Sequence, residues 1–310
     1  MTEPVTLRRE GEIALLVIDN PPVNALSPAV VAGLAAALDA FEADRSARGL
    51  LVHCAGRTFV AGGDISSFDA PDFSAAPFNR TLARLEALDR PVACALHGTV
   101  LGGGLEVALA CHFRVAVPGT QLGLPEVKLG LLPGSLGTQR LPRLAGVHLA
   151  LDLIGSGRSL KAEAALSAGI VDAVRAGPPL AVGLAFLREQ LAAGRAPRRT
   201  SQLPIPGEPL PADFFAQALA EAQRRKPLHP SSRNIVLAVQ AATLAFAEGE
   251  AVEAGCSRHC GPRPSRRRCA TCSSPSARPP RSRACRRASR CARSNAWASW
   301  ARARWAAASR

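Results

Sequence analysis

No apolar run in this 310-residue sequence reaches membrane-spanning length, and nothing at its N-terminus resembles a signal peptide. Those absences set aside a membrane or secreted protein and lead us to expect a cytoplasmic one. Cysteine is scarce where a fold would form: the first 255 residues hold only Cys54, Cys94 and Cys111, each in an apolar context. That usage fits buried thiols in a reducing compartment, not a disulfide framework. No GKS or GKT phosphate loop occurs, nor a GxGxxG after a strand, which argues against a nucleotide cradle. Lysine and acid are missing altogether from residues 256–310, which carry fifteen arginines, six of the nine cysteines and all three tryptophans. The formal net charge of +14 therefore belongs to that tail, and the first 255 residues sum to −1. A length of 310 residues allows one large domain or two smaller ones with a sizeable core.

What is present reads as strands alternating with helices, an α/β fold. Residues 13–18, IALLVI, suit a strand buried on both faces. Ser27 and Pro28 look like an N-cap and first helical residue, and Val30, Val31, Leu34, Leu38 and Phe41 follow at helical spacing. Strands are expected over Leu50 to His53 and over VACAL after Pro91, with a helix from about Pro77 to Leu88 between them. Further on we expect a helix through HLALDLIGSG, another helix with a short strand in SLKAEAALSAGIVDAV, and a linker region with one apolar helix over 176–210. Two amphipathic helices follow, ADFFAQALAEAQRRK and SSRNIVLAVQAATLAFAEG, the second capped by Ser231 or Ser232.

The chemistry concentrates in residues 97–130. Gly102, Gly103 and Gly104 run into Leu105 and Glu106, and Glu126 follows in GLPEVKLG, both carboxylates set among apolar and small residues. A carboxylate is costly to bury there unless it is paired or used. Glycines let a ligand approach the main chain, and the first amides of a helix starting near Gly103 lack intrahelical partners. Such amides favour a negative oxygen and stabilise an oxyanion that develops in reaction by about 3 kcal/mol per donor. Glu106, one turn in, is then placed for proton chemistry. A tight strand-to-helix turn with a surface glutamate would show the same spacing. A second Gly-rich strand end, AGGDI, could offer an amide to the same oxygen.

Four ordered motifs carry a family resemblance: NPPVNALS at 20–27, FVAGGDI at 59–65, HGTVLGGGLEVALACHFRVA at 97–116, and LGLPEVKLGLLPG with GTQRLPRLAG at 122–146. With them the chain resembles the enoyl-CoA hydratase/isomerase (crotonase) family over about residues 5–175, and looks closest to the hydratase half of multifunctional fatty-acid oxidation proteins. The resemblance implies a spiral of repeated strand–strand–helix units in residues 1–178 and a helical connecting region over 179–255, while composition sets off an Arg/Cys-rich tail over 256–310. It implies an oxyanion hole at the amides of Gly63 and Gly103, with Glu106 and Glu126 as the acid/base pair. Asn24, Ala25 and Leu26, with Ala61, Gly62, Asp64 and Ile65, would line the path of the CoA adenine and pantetheine. The implied partner is an acyl-CoA thioester, with neither nucleic acid nor membrane, in a chain that could assemble as a homotrimer or hexamer. The implied reaction is hydration of a 2-enoyl-CoA, with Δ3–Δ2 isomerisation or another thioester-enolate reaction as the alternative. It needs no metal or bound cofactor. Relatives often have a Gly pair before GTQR where this chain has Ser135-Leu136-Gly137, so Leu136 is expected to narrow the acyl pocket or alter that turn.

The tail departs from the family near Gly255. Disorder explains its composition. A zinc site could draw on Cys256, His259, Cys260, Cys269 and Cys272, although only CATC has suitable spacing. An arginine-rich arm could also bind nucleic acid through phosphate. We favour a shifted reading frame. With GC-rich codons chosen for Ala296 to Ser309, skipping two bases yields VGVVGAGTMGGGI, a dinucleotide-binding fingerprint where a 3-hydroxyacyl-CoA dehydrogenase would begin. The same shift in residues 268–278 can yield LRHLFFAERE. On that reading the tail has no evolved function and the NAD site is absent from this chain.

Overall fold

Six apolar residues without a turn former, Ile13–Ile18, are all buried, so this strand needs neighbours on both edges and cover on both faces. The computed structural model, which describes residues 3–64, 74–225, 230–258 and 260, supplies both. The strand is β2 of a six-stranded sheet. β1 (Val5–Glu10), β3 (Gly49–Cys54), β4 (Val92–Leu96), β6 (Phe113–Ala116) and β9 (Ala173–Val174) complete it in the order β1-β2-β3-β4-β6-β9. All neighbours are parallel except β1, which runs antiparallel to β2. β1 is absent from the expected strands because Arg8, Arg9 and Glu10 mask its alternation. Those same charges suit an edge strand.

Alternate residues of the sheet face two different layers. Leu16, Ile18, Leu50, Val52 and Cys94 pack with α1 (Pro28–Ala43) through Val30, Leu34, Leu38 and Phe41. Ser27 Oγ accepts from the Val30 amide at 3.3 Å, the cap its sequence predicted. On the other face, Ile13, Leu15, Leu51, Ala93 and Ala95 meet Val182, Phe186, Leu187 and Leu191. These four belong to the helix Pro179–Ala192, within the segment expected to be a linker. The apolar helix expected there is present, but the segment is no linker: the Gly and Pro residues around the helix are its connections, and the helix itself is a structural layer of the sheet. Residue 178 is therefore no packing boundary, and the chain through Cys260 is one compact unit.

The spiral arises where strands leave the main sheet. β4 turns at Gly98 (φ +56°), where a Cβ would lie 2.2 Å from the Arg57 carbonyl oxygen. It continues as β5 (Thr99–Leu101), which pairs in parallel with β7 (Gln121–Gly123), itself antiparallel to β8 (Ser159–Lys161). The helix Ala76–Ala87, here α2, lies ahead of β4; α3 (Gly103–Ala110) follows β5; α4 (Gly137–Ser156) follows β7; and α5 (Ala162–Ser167) follows β8. The Pro179–Ala192 helix is α6. Strand–strand–helix units thus repeat as the resemblance implies.

Later helices depart from expectation in their bounds. α4 begins at Gly137, well before His148, and kinks at Gly146 (φ 78°, ψ 163°). Its first turn is held by a distant side chain, described below, which no local pattern shows. After α7 (Phe214–Arg225), the stretch expected as one helix is two, α8 (Pro230–Ala241) and α9 (Phe246–Arg258). Ser231 lies buried inside α8 and does not cap it. α9 runs past the boundary expected at residue 255. The large exposed hydrophobics among the described residues are Leu166 and Leu244. No helix among the described residues is long and apolar enough to cross a membrane.

Candidate active site

The three glycines each answer a different constraint. Gly102 caps α3 at φ +55°, a conformation that favours glycine, and its amide donates to the Gly123 carbonyl at 3.0 Å. A Cβ on Gly103 would meet Leu26 Cδ1 at 2.7 Å, and one on Gly104 would meet the Val60 carbonyl oxygen at 2.3 Å. α3 therefore packs directly on the segment 59–63. At its far end the buried Arg114 guanidinium donates through Nη1 to the Cys111 and Ala108 carbonyls at 2.6 and 3.3 Å, and through Nε to Ile170 O at 2.7 Å. A cation there satisfies the helix's last carbonyls and fixes its axis.

Segment 59–63 brings the second glycine pair alongside. Val60 bridges Val100, and Gly63 bridges Leu26. The Leu26 amide donates to Gly62 O at 3.0 Å, and the Asp64 amide to Leu26 O at 3.3 Å. Gly62 Cα lies 3.6 Å from where a Gly102 Cβ would sit, so the two Gly-rich strand ends are neighbours. Neither the Gly63 nor the Gly103 amide donates to an acceptor among the described residues. Asn24 is a clamp: its Oδ1 accepts from the Asn20 amide at 2.8 Å, and its Nδ2 donates to Ala55 O and Thr58 O at 2.8 and 3.0 Å. It is buried in the left-handed region (φ 53°), and its own amide donates to Asn20 O at 2.8 Å. Ala25 O accepts from Asn20 Nδ2 at 2.8 Å, and the Ala61 amide donates to Val23 O at 3.1 Å. Ile65 lies outside the described residues.

Glu106, in the first turn of α3, is buried, and its Oε1 accepts the Ser135 and Gly137 amides at 2.8 and 3.1 Å. Burial raises its pKa, while those two amides and the nearby Arg140 pull the other way. Glu126 sits in a 3-10 turn, Pro125–Leu129. The residue as a whole is half-buried, but Oε2 is fully shielded and has no hydrogen-bond partner among the described residues. Its Oε1 lies 3.0 Å from where a Gly102 Cβ would be, against the glycine turn. Burial first, then the charge of Glu106, push its pKa well above the usual carboxylate range. The two carboxylates are thus held in different environments at one site: Glu106 is bonded to donors that favour its ionised form, and Glu126 is placed to keep its proton. Such a pair can take a proton at one atom and give one at another.

Several site residues were missed from sequence. Glu253 of α9 is buried, and its Oε1 accepts the Leu136 amide at 2.8 Å. Its Oε2 accepts the Thr138 amide at 3.2 Å and the Thr138 hydroxyl. Glu86 pairs with Arg140 at 2.9 Å, and Arg140 also donates to Ser135 O at 3.3 Å. Glu253 carried no sequence signal, because the helix expected from the pattern ends at Gly249 and α9 runs on to Arg258. Leu136 stands at the start of α4 with φ +70°, a left-handed conformation that glycine adopts readily. For the zinc reading, no cluster of three or more ligating side chains occurs among the described residues. Cys260 Sγ instead accepts from Asn234 Nδ2 at 3.2 Å, and His259, Cys269 and Cys272 lie outside the described residues.

Known proteins share this sequence and fold. The family described as Enoyl-CoA hydratase/isomerase matches residues 8–196, and the chain belongs to it. The peroxisomal bifunctional enzyme of Cavia porcellus is 38% identical over 245 residues, covering 78% of this chain and 34% of its own length. The chain therefore spans about a third of that relative. Among solved structures, an enoyl-CoA hydratase subunit of Geobacillus kaustophilus shares 31% identity with a TM-score of 0.55, covering 82% of this chain and 89% of that one. A carnitinyl-CoA dehydratase from Mycobacterium avium shares 31% identity with a TM-score of 0.57, covering 63% and 78%.

Proposed function

We propose that this chain is an enoyl-CoA hydratase that adds water across the double bond of a 2-enoyl-CoA to give 3-hydroxyacyl-CoA, as in fatty-acid β-oxidation. The observation that carries this is the contrast between Glu106 and Glu126 beside the Gly63 and Gly103 amides, which have no acceptor among the described residues. The thioester oxygen accepts from the Gly63 and Gly103 amides. Glu106 takes a proton from water as its oxygen attacks Cβ. The C=C electron pair moves toward the thioester, and the negative charge gathers on the oxygen those amides hold. Glu126 then delivers its proton to Cα. The elements of water are added, and proton exchange with solvent resets the pair. Isomerisation needs only one carboxylate to carry a proton between carbons, so two carboxylates in unlike settings favour hydration. An acyl-CoA is the only partner this reading needs.

The test is hydration of crotonyl-CoA, followed by loss of enoyl-thioester absorbance. Glu106→Gln and Glu126→Gln are each expected to lower kcat roughly 10²- to 10⁴-fold. A variant that retains near-normal turnover would remove that residue from the reaction.

A further inference from the structure

Residues 135–138 present four consecutive backbone amides, and these are shared alternately between two buried carboxylates. The Ser135 and Gly137 amides go to Glu106, and the Leu136 and Thr138 amides go to Glu253. Leu136, left-handed at φ +70°, reverses the chain so that neighbouring amides point to opposite sides. One carboxylate comes from α3, inside the family motif. The other comes from α9, beyond the matched residues 8–196. α9 is seated for this along one face. A Cβ on Gly249 would lie 2.1 Å from Gln139 Oε1, Glu253 reaches the loop one turn on, and Ser257 Oγ lies 3.5 Å from where a Gly134 Cβ would sit. The Thr138 hydroxyl donates to Glu253 and accepts from Gln139 Nε2 at 2.8 Å, and that same Nε2 donates to Ala238 O at 2.8 Å. α8, α9 and the loop are therefore one hydrogen-bonded assembly.

We propose that Glu253 is a positioning residue for Glu106: it holds the 135–138 loop from the side opposite Glu106, and so sets where the Ser135 and Gly137 amides place the Glu106 carboxylate. It does not touch the reacting atoms. This deepens the hydratase reading and rests on it for its catalytic consequence. Several charged groups act around the loop. Glu106 lies on α3 and Glu126 in the 3-10 turn, where the charges of Glu106 and Glu253 push the Glu126 pKa up; Arg140 and Arg143 are on α4, Glu86 on α2 is paired with Arg140, and Cys256 is on α9 itself. Burial and then the Glu106 charge raise the Glu253 pKa to about 8. Glu253 thus holds its proton up to about that pH.

Two measurements test this in the full chain. In steady-state hydration of crotonyl-CoA, Glu253→Ala should lower kcat about tenfold or more with KM moved far less, and Glu253→Gln should recover much of that loss. In carboxyl ¹³C NMR of glutamate-labelled protein, the Glu253 resonance should titrate near pH 8 and shift to lower pH in Glu106→Gln. Unchanged kcat in Glu253→Ala, or equal losses in both Glu253 variants, would overturn the proposal. So would a Glu253 titration indifferent to Glu106→Gln. Wild-type protein inactive on enoyl-CoA would instead count against the hydratase reading. The NMR arm would still decide whether the two carboxylates are coupled through the loop.

Discussion

Leu136 stands in a conformation that glycine adopts without cost, at φ +70°, and a leucine there carries about 1 kcal/mol or more of backbone strain. The strain is offset by the bond from its amide to Glu253 and by burial of its side chain. Gly104 shows the converse constraint. A methyl group there would stand 2.3 Å from a backbone carbonyl, whereas at Gly103 it would meet only the tip of Leu26, which can rotate. Gly104→Ala is therefore expected to destabilise the fold by about 1–3 kcal/mol or more, and Gly103→Ala by clearly less, in urea titrations of the two variants. Equal losses would mean that α3 can shift away from Val60. At this scale the sequence was legible where chemistry and backbone geometry coincide. Glycines beside an acid in an apolar stretch marked Gly102–Glu106 and Glu126. Asn24 was legible as a position but not in role, because only the structure shows its amide spent on Asn20, Ala55 and Thr58.

Elements were legible where their periodicity is local. β2, β4, α1 and α3 follow from runs of apolar residues and a Ser–Pro start. α4 did not, since its first turn depends on a carboxylate more than a hundred residues away. The apolar character of AATLAF bridged two helices, and so concealed α9. This element has a clear test. Ending the chain after Cys260 should leave stability and turnover near those of the full chain, because α9 remains whole. Ending it at Ala245 removes Glu253 and leaves the Leu136 and Thr138 amides without acceptors, at about 1–3 kcal/mol for each buried group. The shorter protein should therefore melt at a markedly lower temperature and lose most of its hydration rate. Equal melting of the two truncations would show that α9 contributes little.

At the scale of the molecule, the family motifs marked the candidate site but not the C-terminal helix whose Glu253 reaches the 135–138 loop, and the net charge of +14 said nothing about either. Three buried carboxylates with raised pKa values shape how the whole fold responds to pH. The folded protein keeps the Glu253 proton up to about pH 8, while the unfolded chain releases it near the ordinary value of 4.5. The folded state thus binds more protons across that window, and stability must fall as pH rises through it. Glu106 and Glu126 act in the same direction. Denaturant titrations between pH 5 and 8.5 should show this decline, and Glu253→Gln should flatten it by an amount on the order of a few kcal/mol at the upper end. An identical slope in both proteins would place the Glu253 titration elsewhere. The central claim is that Glu106 and Glu126 divide the addition of water between them, and product analysis by NMR after reaction of crotonyl-CoA in D₂O addresses it most directly. The account expects 3-hydroxybutyryl-CoA with a single deuterium at Cα, formed by the wild type and by neither glutamine variant at more than a small fraction of its rate. Deuterium incorporation without a β-hydroxyl, or hydration that persists without Glu106, would contradict it.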